Sequence, residues 1–516
     1  MGRQARRAVL LGIVLETDGG QTLQAQIREQ IRRAILEGRL ACGTKLPSSR
    51  LLAAELGCAR GTVLAALDQL QAEGYLVARS SSGVSVAQDL PDDMLAPAPT
   101  QSAPHAPMPP PLLPERTRVL LRHAQHAPGH ATPGEPPIAF PLGQPDRQAF
   151  PFALWAKLLE QDWRRPAWPI AGTPPPFGHP ALQQAIAAHL RTARGFSCAP
   201  ESIVITAGVR QSVSLFARIA LEAGEPAWVE EPGYPGIRAA LAASGIRAVP
   251  VAIDESGFAP ATALAMAPDA RLAIVAPSHH YPLGTVLGLQ RRLALLSWAQ
   301  RRQGWIIEDD FDGEYRYSGR PLAPLRALDR AGRVAYLGSF SKLLFPALRL
   351  SYIVLPPALV PAAQVVLPQV FTPAPLMGQG ALARFIAEGH LVSHLRRTRL
   401  LYAARQNSLM EVAARSLTGL MHITPDSGGM HVVACPAPAL APGFDDHAAT
   451  AAALKAGVRV APLSECYAGP RKQHGLLLGY AGTPHHEIDP AMRRLAHALE
   501  AFMPHDAGAG CPAGRT

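Results

Sequence analysis

The sequence predicts a multidomain chain: a small α+β head with the winged helix-turn-helix layout, a proline-rich connector and a large α/β domain. Three observations carry this. Over the first 87 residues, helical apolar periodicity gives way to a strand-turn-strand pattern. From about residue 88 to 137 the composition shifts to Pro, Ala and Ser, with three consecutive prolines at 109–111. Beyond that, short apolar runs alternate with amphipathic stretches to about residue 503, the signature of an α/β domain with a largely parallel sheet.

The bulk properties agree. A chain of 516 residues is too long for one core, and 48% hydrophobic residues supply material for several. No apolar run approaches the ~18 residues of a membrane span. The start is basic through Arg7, but the apolar stretch at 8–15 is short and lacks a signal-type cleavage site, so a cytoplasmic protein is expected. Six scattered cysteines (Cys42, Cys58, Cys198, Cys435, Cys466, Cys511) form no CxxC pair and read as reduced thiols without a zinc site. A net charge of +10 fits a polyanionic partner, yet the head holds only 11 Lys+Arg against 8 Asp+Glu over residues 1–90. Patterning therefore has to decide on DNA.

In the head, Leu23, Ile27, Ile31 and Ile35 recur every fourth residue, one apolar stripe on a helix ending at Gly38. Pro47 then stops any preceding helix, and Ser48 or Ser49 can cap a short helix over 50–56 that Gly57 ends. A third helix over 60–73 turns Val63, Leu67 and Leu70 inward and stops at Gly74. Residues 75–79 and 84–87 flank 80–83 as a hairpin. In a helix-turn-helix the second helix of the motif enters the major groove by its first residues, here Arg60, Gly61 and Thr62. Ser48 and Arg50 stand at the start of the preceding helix for phosphate or a guanine edge, and Arg79 and Gly83 on the wing for backbone or minor groove. Singly, each arginine could equally be an ordinary surface residue. As a string, however, Leu-Pro-Ser-Ser-Arg (46–50), Arg-Gly-Thr-Val (60–63) and Glu-Gly-Tyr (73–75) closely resemble the DNA-binding head of GntR-superfamily regulators. That resemblance implies a double-stranded DNA operator. Where the family usually has Ser-Arg-Asn-Thr, this chain has Ala59-Arg60-Gly61-Thr62, so a hydroxyl and an amide are missing from the reading surface.

Beyond residue 137, apolar runs at 202–206, 226–230, 271–276, 305–308 and 334–337 read as strands. After the last of them comes Gly338-Ser339-Phe340-Ser341-Lys342, with Arg349 seven residues on. A strand-end lysine among hydroxyls, followed by an arginine, suits a Schiff base to an aldehyde beside a phosphate. Ile306-Ile307 run into Glu308-Asp309-Asp310-Phe311-Asp312, placing carboxylates where α/β sheets hold ligands. One of them can pair with a protonated pyridine nitrogen; a metal site of three aspartates is the alternative. Thr206-Ala207-Gly208-Val209-Arg210 carries a strand through a glycine turn into a helix whose free N–H groups suit a phosphate. Tyr234, after another strand, can stack on a ring or simply pack in the core.

Together these strings resemble fold-type I pyridoxal-phosphate enzymes, and more closely the MocR-type regulators that join such a domain to a GntR head. The resemblance runs from about Phe140 to Ala498 and includes Pro-Ser-His-His-Tyr-Pro-Leu-Gly (277–284) and Gly-Gly-Met-His (428–431). It implies pyridoxal 5'-phosphate as cofactor, a smaller C-terminal α+β subdomain after about residue 370, and a homodimer. It casts Lys342 as the Schiff-base lysine and Asp309, 33 positions earlier, as the pyridine partner. Tyr234 becomes the stacking ring, and Ser339, Ser341, Arg349, Gly208, Val209 and Arg210 surround the phosphate.

Three departures stand out. Phe311 replaces a frequent tyrosine, Ser351 a usual glycine, and Leu476-Leu477-Leu478-Gly479-Tyr480 lacks the arginine that clamps a substrate carboxylate in aminotransferases. The expected organisation is a DNA-binding domain at 1–87, a linker at 88–137, the cofactor domain at 138–503 and a disordered tail at 504–516. The expected function is a transcriptional regulator sensing pyridoxal phosphate and/or an amino-acid or amine effector, without efficient turnover. The alternatives are an active aminotransferase with an accessory head, and a structural α/β domain that has lost the cofactor.

Overall fold

The computed structural model describes residues 6–8, 12–16, 21–79, 83–91, 112–114, 117–118, 120–121, 138–164, 172–317, 323–469 and 473–503. The wing tip at 80–82, most of the proline-rich stretch, Cys511 and the tail at 504–516 lie outside these. Two compact units emerge, Met1–Pro111 and Leu112–Thr516.

In the first unit, strands β1 (Arg6–Ala8) and β2 (Ile13–Leu15) form an antiparallel hairpin that periodicity alone does not reveal. Side chains hold its edge: the Gln30 amide exchanges hydrogen bonds with the Val14 backbone (2.9 and 2.6 Å), and Gln26 does the same at Glu16 (2.9 and 2.9 Å). Both glutamines lie on helix α1 (Leu23–Leu36), whose Ile27, Ile31 and Ile35 are buried as the stripe predicts. Helix α2 (Ser49–Leu56) is capped by Ser48, whose hydroxyl accepts from Leu51 N, and ends at Gly57 in the left-handed region. Helix α3 (Arg60–Ala72) buries Val63, Leu67 and Leu70 against these elements. Strands β3 (Leu76–Arg79) and β4 (Gly83–Val86) form the wing in the register Leu76↔Val86 to Arg79↔Gly83. Residues 43–46 pair with the other edge of β4, with Leu46 N donating to Val84 O (2.9 Å) and Val86 N to Thr44 O (2.9 Å).

The second unit is built on an eight-stranded sheet: β5 (Ile203–Thr206), β6 (Pro226–Glu231), β7 (Arg247–Asp254), β8 (Gly257–Phe258), β9 (Leu272–Val275), β10 (Trp305–Asp310), β11 (Val334–Ser339) and β12 (Ser351–Val354). Its spatial order is β5-β12-β11-β10-β9-β6-β7-β8. The central pairs are parallel, as the apolar runs imply. The sheet is largely parallel, as expected, with antiparallel exceptions at β12, which runs against both β11 and β5, and at β8, which runs against β7. Helix Val209–Ala220 covers one face, its Val213 and Phe216 sharing a core with Ile307, Leu337 and Ile353. Trp228, Ile306 and Leu295 pack on the other face.

A second antiparallel sheet, ordered β13-β14-β16-β15, comprises β13 (Met421–Ile423), β14 (His431–Pro436), β15 (Ala461–Pro462) and β16 (Leu476–Gly479). Helices His390–Ser416, Asp446–Lys455 and His485–Glu500 accompany it. Residues 139–143 are threaded along this sheet: Arg459 N donates to Ala139 O (3.0 Å) and Gly479 N to Phe140 O (3.1 Å). The approach at Gly479 is so close that a Cβ there would stand 2.2 Å from the Pro141 carbonyl oxygen.

Gly479→Ala must therefore push the 140–143 segment off the sheet. We expect a destabilisation of about 1–3 kcal/mol, as for other overpacked sites, seen as a lower unfolding temperature. An unchanged transition would show that the segment is loosely held.

Candidate cofactor site and nucleic-acid interface

Four carboxylates end strand β10 and the loop after it, and the protein treats them differently. Alternation along the strand sends Glu308 and Asp310 to one face and Asp309 to the other. Glu308 is fully buried and accepts from Leu325 N (2.8 Å) and Arg326 N (2.9 Å), which caps the short helix Leu325–Leu328. Asp310 accepts from Arg194 and from the Tyr336 hydroxyl. Asp312 lies 3.0 Å from His279 Nδ1, while His279 Nε2 meets Asp426 at 2.8 Å. These two acids outweigh the burial that disfavours charge on the imidazole and push its pKa up to about 10. Asp309 alone is left over: it is buried, and its Oδ1 has no partner among the described residues. Burial, and then the Asp312 charge, push its carboxyl up to about 7. An orphaned buried carboxylate is costly unless a cation meets it. A protonated ring nitrogen fits that requirement.

One strand over, Asp309 is in register with Leu337 and Asp310 with Gly338, which brings Ser339 and Lys342 to the same end of the sheet. Lys342 sits on the single turn Phe340–Leu343, half-buried, with Nζ donating to Gly143 O (3.1 Å). Burial lowers its pKa, against the pull of Asp312, which favours the neutral, nucleophilic amine. Ser339 is buried and accepts from Ser351 Oγ (3.1 Å); Ser351 in turn is in register with Thr206. The serine at 351 thus anchors Ser339. Ser341 is half-buried beside the lysine.

Arg349 adopts a left-handed conformation with φ of 50°. Its guanidinium comes within 3.6 Å of where a Gly208 Cβ would stand, at the start of helix Val209–Ala220. No described residue neutralises or hydrogen-bonds it. A free guanidinium facing the open N–H groups of Val209 and the exposed Arg210 is a cradle for a dianionic phosphate. Tyr234 is 38% exposed, folded over Gly236 and edge-on to Tyr281 (5.8 Å, 85°). Phe311 lies 6.0 Å from both the Tyr281 and His279 rings. The donor set fits pyridoxal phosphate: an amine, an unpaired acid, a hydroxyl row and an unpaired cation. Gly143 and Asp426 join the neighbourhood without any local sequence signal, beside His279, Asp312 and Glu230 from the strings that flank the sheet's end. Glu230 is pushed up to about 8 by burial, eased by its bond from Ala276 N and raised again by Asp309.

In the head, the predicted contacts gather at the adjoining starts of α2 and α3. Arg60 Nε donates to Ser49 Oγ (3.3 Å), so Ser48, Arg50 and Arg60 share one exposed corner with the half-buried Thr62. Arg79 and Gly83 face each other at the wing. Lys45, which the sequence reading passed over, is exposed, bridges to Ser85 and brings its Cε alongside Gly83. Exposed Leu64 lies one turn beyond Arg60.

Residues 23–86 match the family "Bacterial regulatory proteins, gntR family", and residues 146–495 match "Aminotransferase class I and II". The chain is 37% identical over 505 residues to the probable rhizopine catabolism regulatory protein MocR of Rhizobium meliloti, covering 98% of each. It is 34% identical over 501 residues to the pyridoxine biosynthesis transcriptional regulator PdxR of Corynebacterium glutamicum, covering 95% of this chain and 98% of that one. Among solved structures, alpha-aminoadipate aminotransferase LysN of Thermus thermophilus superposes with a TM-score of 0.62 at 26% identity, covering 75% of this chain and 95% of that one.

The unpaired Asp309 makes a signed prediction for the cofactor-free protein. The unfolded chain releases this proton near 3.8, the folded one near 7, so stability falls as pH rises across that window. Asp309→Asn should then raise stability above pH 7, by at most on the order of 4 kcal/mol. The gain should vanish below pH 4, and cofactor affinity should drop. Urea unfolding at pH 4 and pH 8 reads this directly; equal gains at both would mean the carboxylate is not buried unpaired.

Proposed function

Since the chain belongs to the MocR-type regulators, a gntR head joined to a class I and II aminotransferase domain, we propose that it controls transcription in response to pyridoxal phosphate, alone or with an amino compound. The head binds DNA, and the second unit holds the cofactor that reports the ligand. The observation that carries the sensing half is the presence of two groups unmatched among the described residues, the buried Asp309 Oδ1 and the Arg349 guanidinium, at the sheet end that also carries Lys342.

When bound, the cofactor supplies an electrophilic aldehyde carbon and a ring that accepts electrons. Lys342 offers the amine for that carbon, its proton affinity lowered by burial. Asp309 holds a proton on the ring nitrogen. Ser339, Arg349 and the helix start at Gly208, Val209 and Arg210 bind the phosphate, while Ser341 lines the lysine turn. Tyr234 covers the ring, beside its edge-on neighbour Tyr281. Leu477 stands in the strand where aminotransferases carry a carboxylate-binding arginine, and Phe311 offers no hydrogen bond. A bound amino acid is then poorly oriented for reaction, which favours a sensor over a catalyst. Among the described residues no helix is long and apolar enough to cross a membrane. We read the protein as a cytoplasmic homodimer on a double-stranded operator.

Purified protein incubated with pyridoxal phosphate should form a covalent, borohydride-reducible bond at Lys342. Lys342→Ala should abolish that bond with little change in the circular dichroism spectrum. Labelling at wild-type level in the variant would refute the lysine assignment.

Arg60→Ala should weaken specific DNA binding by about 1–3 kcal/mol if the guanidinium reads a base edge in bidentate fashion. Fluorescence anisotropy on a selected operator and on unrelated DNA would check it. A uniform loss on both DNAs would assign Arg60 to phosphate instead.

A further inference from the structure

Helix α3 presents few side chains to DNA. Its first two turns, Arg60 to Leu67, read Arg-Gly-Thr-Val-Leu-Ala-Ala-Leu. Val63, Ala66 and Leu67 are buried in the head's core, and Thr62 and Ala65 are half-buried. Gly61 is exposed and bare: a Cβ there would meet nothing within 4 Å. Two exposed side chains remain, the Arg60 guanidinium and the Leu64 isobutyl group, which is 37% exposed. Four residues apart, they share one face of the helix.

The arginine is anchored, because Ser49 Oγ accepts from its Nε (3.3 Å). That bond leaves the two terminal nitrogens as a fork for a guanine edge. Leu64 has no polar atom, so it reads a base only by apolar contact. The apolar feature that base pairs show in the major groove is the C5 methyl of thymine. Against an amino group or a ring nitrogen, the leucine would strip water and return no bond. Against a methyl, it gains by burial. With no side chain at Gly61 to stand between helix and bases, the leucine can come down onto the groove floor. Asp68, exposed one turn further on, carries the same sign as the phosphates and confines close contact to these first two turns.

We propose that Leu64 is a specificity residue that selects thymine by its C5 methyl, beside the guanine read by Arg60. The proposal rests on the reading of the head as a DNA-binding domain. Four residues of helix rise about 6 Å, and each base-pair step about 3.4 Å. The thymine therefore falls within about two steps of the guanine.

The full-length protein first selects its sites from duplexes with a randomised core. Each thymine of the selected sequence is then replaced singly by deoxyuridine, which removes the methyl and nothing else, and binding is followed by fluorescence anisotropy. Replacing the thymine near the guanine should weaken binding about fourfold, the worth of one buried methyl-sized group. Leu64→Ala should bind the thymine and deoxyuridine duplexes equally, at about the affinity of the wild type for deoxyuridine. Alanine is the better helix former, so the head keeps its fold. Leu64→Met, apolar and similar in volume, should retain the discrimination. The proposal is overturned if no single deoxyuridine weakens binding, or if Leu64→Ala still discriminates in full. It is equally overturned if Leu64→Ala weakens both duplexes by the same factor, which would place the leucine against protein. A selection that enriches no sequence would instead overturn the reading on which the proposal rests.

Discussion

A carboxylate closed off from water at the end of a parallel strand sets the terms for the second unit. Strand β10 must finish in polar groups because the sheet's ends face outward, and three of the four acids there are matched from within: Glu308 by backbone amides, Asp310 by Arg194 and Tyr336, Asp312 by His279. Asp309 lies on the same face of the strand as Ile307, and its Oδ1 meets no partner among the described residues. The fold is complete as a packing problem and incomplete as an electrostatic one. Arg349 is the opposite case, a cation without an anion, at the helix start beyond Gly208. A single molecule carrying a phosphate at one end and a protonated nitrogen at the other closes both accounts.

The two sheets of this unit are tied together by contacts that converge on the same place. Residues 140–143 run along β16 and deliver Gly143 to the lysine. Behind them the buried Asp146 pairs with Arg405 of the long helix, and its backbone N–H donates to the Tyr402 hydroxyl oxygen (2.9 Å). His279 joins the main sheet's loop to Asp426 in the loop between β13 and β14. Buried ion pairs of this kind contribute little net stability but hold one arrangement against others.

Much of this organisation is legible in residue patterns. The head's isoleucine stripe, its Ser48 cap and the terminating Gly57 specify α1 to α3 through local physics alone, and the structure follows them within a residue or two. Strand β12 is different: Ser-Tyr-Ile-Val is an apolar run, and such a run carries no information about whether its neighbours are parallel. The hairpin of β1 and β2 escapes because three-residue strands show no period and its edge is satisfied by glutamine side chains sixteen and ten residues away. For the site, the lysine and arginine announce themselves by spacing. Residue pattern alone could not separate Asp309 from its three acidic neighbours, and the resemblance singled it out only by its spacing from Lys342; in the structure the four acids differ in the side each faces and the partner each finds. The His279–Asp426 contact spans 147 residues and leaves no local trace.

The unmatched Asp309 also bears on how long the protein survives. Chains opening transiently are degraded in proportion to the open population, and a ligand that binds only the closed form suppresses it by mass action, by about 2.7 kcal/mol at a hundredfold excess over its dissociation constant. On the proposed reading, an empty form that carries a buried carboxylate without a counterion is consequently cleared faster when the cofactor is scarce. Its abundance, and not only its conformation, then becomes a record of cofactor supply.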